Sequence, residues 1–527
     1  PMHFPVLLCG FVLGGPWGLA VGFAAPLLRS VLFGMPPMFP VAISMAFELA
    51  GITKDTPNPQ GGEYLKTDSG ELLGCVTDTA MYPISGLIPD FTIQQKKDAL
   101  LMAQEQLFSY GLTSAMNAGT SVEYLNEVYR PLYESGQLKL RSYLLMSLSS
   151  TEGEQADYLR TTAPQGGLYN NHMDVRAVKL FSDGSLGARS AAMLEDYSDR
   201  AGHTGNNRYT DDEMYALVKL AYENGYQMGS HAIGDAANHQ LLDCYEKVLA
   251  ENPREDHRLR IEHFQILTLD DIQRAINMGV LPSMQTTHAT SDMLMAEDRI
   301  GTERIKGAYA WRTIIDSGSI IINGTDAPVE LVNPYHSLYA AVTRKSRLGE
   351  PPEGWHPEQC MTREEALRSY TNWPAYGEFN EDLKGSLEVG KLADFVVIDR
   401  DYMTCPEEDI KDIQALLTVS GGEVVYQKDT SVPTIMWNGL PLTFNSELIV
   451  EPGKIYVPLN DVINGISAEK RADGASMLVT LNGKSIKLPV KTVDGVDYVA
   501  VRALFEGLGR NVTWYGDSRC VSIGWLK

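Results

Sequence analysis

Four side chains of this 527-residue chain have the types and the order that water-activating metal chemistry needs. They are Lys179 in AVKLF, His231 in MGSHAIGDAAN, His263 in RIEHF and Asp326 in INGTDAP. Two imidazoles with oxygen donors suit a borderline divalent cation, zinc above all. Such a cation lowers the pKa of bound water and polarises a carbonyl, while a carboxylate moves the proton. A lysine inside an apolar run is costly unless its charge is neutralised or used. One lone histidine is more often a satisfied core residue, but Lys, His, His and Asp at the ends of four separate apolar runs need another explanation. Asp183 and Arg189 in SDGSLGARS, His288 beside Gln285 in SMQTTH, and Arg312 in YAWRTII are candidates to orient a substrate. Each has a plainer reading as a helix cap, a structured loop or an ion pair, and Asp235 beside His231 is a supporting residue or a cap. The chain has no GxSxG elbow and no phosphate-cradling glycine loop, so serine-nucleophile and nucleotide chemistry find no motif.

The elements that carry these residues alternate between strand and helix. Apolar, β-branched runs recur at 113–119, 140–146, 175–183, 226–235, 259–265, 280–288 and 319–328. Between them, stretches such as TDDEMYALVKLAYENG and LTLDDIQRAINMG start at Thr/Asp caps and end at Gly. Seven units of this kind predict a (β/α)8 TIM-type barrel that lacks one strand. In that fold the chemistry sits at the carboxyl ends of the strands.

Length allows two to four domains at roughly 100–200 residues each. The net charge of −23 opposes nucleic acid and anionic membrane surfaces as partners. The charge is unevenly placed, because residues 1–49 hold only Arg29 and Glu48 and sum to zero. That Gly/Pro-rich, nearly charge-free stretch is long enough for at most two membrane spans and offers the one route to membrane contact. The chain begins at Pro1 rather than Met, so residues are expected to precede it. Six cysteines without CxxC spacing point to neither a zinc ribbon nor a disulfide framework.

Several strings carry resemblances. VKLFSDGSLGARSAAML, HAIGDAAN, RIEHFQ, GTDAPV with NPYHSLYAAVTR, and KGSLEVGKLADFVVIDRD resemble the amidohydrolase superfamily, in the family 3 branch that includes N-substituted formamide deformylases. The likeness covers about residues 50–428. It implies hydrolysis of amide-type, non-peptide C–N bonds in a small molecule by a two-metal site. In that site Lys179 would be the carboxylated bridging lysine, His231 and His263 would ligate the second metal, and Asp326 would contact the first metal and act as general base. The family's HxH motif on its first strand is absent from this sequence. The resemblance therefore implies one metal or none, and impaired activity. Residues 1–49 (HFPVLLCGFVLGGPWGLAVGF, PLLRSVLFGMPP) resemble a fragment of an energy-coupling-factor transporter S component, which reads as foreign sequence joined at AFELAGIT.

Four regions are expected: 1–49 as a membrane-type segment, 50–375 as the barrel, 376–431 as flanking β-sandwich strands, and 432–527 as a small α+β module. The last shows period-two strands with NG and DG turns. Through YVPLNDV and YVAVRALFEGLG it resembles the stalk domain named after the amino-terminal part of copper amine oxidases. That likeness leans towards the cell envelope, with a cytoplasmic location left open. The alternative to an enzyme is a non-catalytic envelope module built on a degenerate barrel. Nothing in the sequence addresses oligomeric state.

Overall fold

Apolar strand runs separated by capped amphipathic helices have one economical packing, a parallel sheet with its helices outside. The computed structural model shows that arrangement over residues 46–473 and 476–525, the residues it describes. Most of the hydrophobic segment 1–49 lies outside the described residues. Among the described residues no helix is long and apolar enough to cross a membrane.

A hairpin of β1 (Gly62–Lys66) and β2 (Leu72–Asp78) precedes the barrel. Seven parallel strands follow: β3 (Ser114–Thr120), β4 (Arg141–Ser147), β5 (Met173–Phe181), β6 (Gln227–Ala232), β7 (Arg260–His263), β8 (Leu281–Met284) and β9 (Ile322–Asn323). They pair in the order β9-β8-β7-β6-β5-β4-β3, so the sheet curls as a barrel without closing. All seven strands predicted from the sequence are present. Their helices include α1 (Ile93–Ser109), α2 (Asp211–Glu223), α3 (Asp235–Glu251), α4 (Leu269–Asn277), α5 (Thr286–Asp292) and α6 (Pro334–Thr343). The capping signals act as their chemistry dictates. Thr210 and Glu213 form a reciprocal capping box at α2, and the Thr268 hydroxyl accepts from Asp271 N at α4. One large core of buried apolar residues from strands and helices fills the body of the barrel region.

Three antiparallel strands, β10 (Phe395–Ile398), β11 (Ala415–Ser420) and β12 (Glu423–Gln427), pack on the outside against α1. Thr418 Oγ1 donates to the Phe108 carbonyl at 2.7 Å, and the buried Arg141–Asp394 ion pair closes at 2.6 Å.

The carboxyl-terminal module has its own apolar core. Three of its NG and DG dipeptides close tight hairpins, at Asn438–Gly439, Asn482–Gly483 and Asp494–Gly495, while Asn464–Gly465 ends a short helix. Both residues of each hairpin pair have positive φ, as two-residue primed turns require. The module is held to the barrel region by polar contacts. Its closing hairpin, β13 (Arg510–Tyr515) with β14 (Cys520–Trp525), sends three hydroxyls onto buried carboxylates. Ser518 donates to Asp399 at 2.7 Å, Tyr515 to Asp409, and Ser522 to Asp412. Across the same junction, His336 on α6 contacts the Gly439 carbonyl through Nε2 at 2.8 Å.

Candidate metal centre

Register brings the chemistry-bearing residues to one rim. Lys179 on β5 pairs with Gly229 on β6, His231 pairs with Glu262 on β7, and Ala232 pairs with His263. Lys179 lies two residues before the end of its strand, His231 is the penultimate residue of β6, and His263 is the last of β7. Asp326 comes three residues after β9. His288 departs from the expected strand end. β8 stops at Met284, and His288 is carried by the short helix α5 that turns back over the rim. There its ring stacks with that of His263, at 5.8 Å between centroids.

A cavity of about 510 Å3 opens here, with Lys179, Glu262, His263, Gln285, Asn323 and Asp326 in its wall. The His231 and His263 rings meet edge to face at 4.5 Å, and His288 Nε2 lies 4.0 Å from Asp326 Oδ2. His263 Nδ1 sits 2.8 Å from Gln285 Oε1, which places the proton on Nδ1 and leaves Nε2 a lone pair. Burial, with His231 and Lys179 nearby, holds the His263 pKa well below the usual imidazole value. His288 is pushed down to about 4 by burial and then by His231, and its Nε2 is buried with no hydrogen-bond partner. Three imidazoles thus crowd one rim, and two of them are held neutral.

His231 Nε2 faces the Gly184 carbonyl at 3.1 Å and Asp183 Oδ1 at 3.2 Å. Both oxygens accept from an Nε2–H, so the lone pair left for a cation is on Nδ1. Asp183 is fully buried, and its carboxylate accepts from the backbone N–H groups of Ala192, Ile233 and Gly234. It builds the floor behind His231 and does not face the cavity.

Lys179 is 4% exposed, with its ammonium 4.7 Å from the Phe181 ring centroid. Burial lowers its pKa, against the opposing charges of Glu262 and Asp326. Asp326 is raised by burial, with Lys179 opposing. Beneath them Arg260, Glu262 and Ser283 form a network, with Arg260 Nε 2.7 Å from Glu262 Oε1 and Ser283 Oγ donating to Oε2 at 2.6 Å. A Cβ at Gly229 would lie 2.6 Å from Leu145 Cδ2 and 2.8 Å from Glu262 Oε1, so any side chain opposite Lys179 would force one of these two to shift.

Two candidates are engaged elsewhere. Arg189 forms a bidentate pair with Asp199, at 2.9 and 2.8 Å, which Arg299 shares. Arg312 is held by Glu365, Asp316 and the Cys360 carbonyl. Arg260 and Glu262 were not singled out from the sequence. Their signal is the alternation in RIEH, which puts both charges on the inward face of β7.

The donor types fit a divalent cation: an Nε2 lone pair fixed by Gln285, an available Nδ1 on His231, and the carboxylate of Asp326. Among the described residues, no three His, Cys, Asp or Glu side chains already converge as a cage. Any cation held here draws on Lys179 or on small rotations of these rings.

The amidohydrolase family model matches residues 40–426. The putative amidohydrolase YtcJ of Bacillus subtilis (strain 168) is 31% identical over 391 residues, covering 73% of this chain and 72% of that protein. The N-substituted formamide deformylase of Arthrobacter pascens is 26% identical over 401 residues, covering 74% and 72%. A solved metal-dependent hydrolase from Pyrococcus furiosus superposes with a TM-score of 0.54 at 27% identity, over 68% of this chain and 70% of that one. Through the family match and the Bacillus relative together, the chain belongs to the amidohydrolase family.

Proposed function

We propose that this chain is a metal-dependent hydrolase that cleaves an amide-type, non-peptide C–N bond in a small molecule, with zinc as its cation. The observation that carries the reading is that Lys179, His263 and Asp326 line one cavity, with His231 and His288 packed beside His263 and with His263 locked by Gln285 in the tautomer a metal ligand needs. Similarity to a formamide deformylase and to a metal-dependent hydrolase of Pyrococcus supports the bond type and the metal.

His231, His263 and Asp326 would hold the cation. Lys179, its pKa lowered by burial, would join them once its amine adds to carbon dioxide and releases a proton, leaving an anionic carbamate. A cation bound there supplies water activation and carbonyl polarisation. Asp326, raised by burial and still 35% exposed at its side chain, accepts the proton of the attacking water and returns it to the leaving nitrogen. His288, held neutral, offers its unpartnered ring nitrogen to the substrate's polar atoms.

The competing reading, a non-catalytic barrel, draws on the open sheet and on the lack of a preformed three-donor cage among the described residues. Metal analysis and hydrolysis of N-substituted formamides by the full chain separate the two. At least one zinc per chain, with turnover that Asp326→Asn reduces by about 10²–10⁴-fold, is the expected result. No bound metal and no turnover would overturn the enzyme.

A further inference from the structure

Two cavities meet at Arg347, away from the rim just described. On the barrel side about 290 Å3 lies between α5, α6 and the loop after Asp326, with Thr290, Glu330 and Ser346 in its wall. On the other side about 570 Å3 lies against the carboxyl-terminal module, walled by Leu348, Trp437, Leu440, Pro441 and Leu442. Arg347 and Leu348 line both.

The guanidinium between them is poorly matched by protein. Arg347 Nη1 donates to the Asn438 carbonyl at 3.0 Å. Among the described residues it has no carboxylate within ion-pair distance. Its neighbours differ. Arg344 donates to the Trp355 and Tyr309 carbonyls and lies 4.3 Å over the Trp311 ring, while Lys345 pairs with Glu408 at 3.4 Å. Burial lowers the pKa of Arg347 against the opposing charge of Glu330, which already accepts from Ser291. A half-buried guanidinium has five donors in a planar fork and is costly to bury unless an anion completes it.

The surroundings add an apolar element. Leu331, Leu348 and Leu440 are 45%, 48% and 40% exposed, so three leucines stand bare around one cation. Leu348 lines both cavities, Leu331 one and Leu440 the other, so apolar surface flanks the guanidinium on each side. Glu330 in one cavity and Asp461 in the other place a negative charge beyond each side of Arg347. A ligand with a second anionic group would be repelled, and one with a single anionic head would not.

We propose that this junction binds an amphiphilic monocarboxylate, its carboxylate forked onto Arg347 and its apolar tail laid along Leu440, Leu442 and Trp437. Planar carboxylates match the guanidinium fork in two parallel hydrogen bonds. The site is built from both the barrel and the module, so neither part alone completes it.

Calorimetric titration of the full chain with octanoate, octan-1-ol and acetate tests the assignment. Octanoate should bind at least tenfold more tightly than either octan-1-ol, which lacks the charge, or acetate, which lacks the tail. Arg347→Met should weaken octanoate tenfold or more and leave octan-1-ol unchanged. Leu440→Asp, which sets a carboxylate in the path of the tail, should also weaken octanoate, and it decides the matter if Arg347→Met does not fold. No octanoate binding at millimolar concentration, equal binding of octanoate and octan-1-ol, or equal binding of octanoate and acetate overturns the proposal. None of these measurements requires hydrolysis, so failure here leaves the metal centre standing, and failure there leaves this site standing.

Discussion

Gln285 holds the orientation of His263 through one hydrogen bond of 2.8 Å. Gln285→Leu keeps much of the volume and removes the acceptor. Loss of such a supporting partner costs about 10–100-fold in metal affinity, which chelator competition would read directly, with an unchanged circular dichroism spectrum as the control. Lys179, His231, His263 and Asp326 were legible in the sequence because each is a polar residue at the end of an apolar run. Glu262 and Arg260 were harder to read, since two charges in a four-residue strand look like a solvated face until the register puts them beneath Lys179. Backbone shape was not legible at all. His263 and Asp326 adopt φ of 76° and 53°, left-handed values that disfavour any residue with a Cβ. Each costs about 1–3 kcal/mol where it occurs, and here both fall on residues of the proposed centre. Arg189 and Arg312 carried no signal that would have separated a substrate contact from the ion pairs they form.

At the scale of elements, the seven strands were visible because β-branched runs alternate with capped helices, and the module's hairpins because NG and DG demand one turn type. What periodicity cannot show is which strand needs a residue without a side chain. Gly229→Ala would drive a methyl group against Leu145 and Glu262 and disturb the pairing beside Lys179. The expected cost is about 1–3 kcal/mol, read as a lower urea midpoint at unchanged slope. The contacts that seat the module were equally hidden, because serines in a terminal hairpin announce nothing. Ser522→Ala would leave a fully buried Asp412 short of a donor. A loss of about 1–3 kcal/mol is expected, and a wild-type unfolding midpoint would show that the hydroxyl contributes nothing.

At the scale of the molecule, His336 couples barrel and module and makes their union sensitive to acid. It is 2% exposed, and burial, with Arg347 beside it, pushes its pKa down to about 4. Above about pH 6.5 the imidazole is neutral in both folded and unfolded chains, so it adds no pH dependence there. Between about 6.5 and 4 the unfolded chain binds a proton that the folded chain refuses, so stability falls as pH falls, by up to about 3 kcal/mol. His336→Gln should flatten that part of the urea-unfolding profile between pH 7 and 4.5. An equal loss in both proteins would show that His336 plays no part in it.

The unclosed sheet has a consequence of a different kind. β3 and β9, its two rims, each present a row of backbone donors and acceptors with no further strand beside them among the described residues. Such rims are templates for any extended chain that drifts past, including another molecule of the same protein caught half-folded. Refolding yield should therefore drop as protein concentration rises, read as recovered native signal after dilution from urea at a series of protein concentrations. The same open border would govern how crowded a solution this protein can survive.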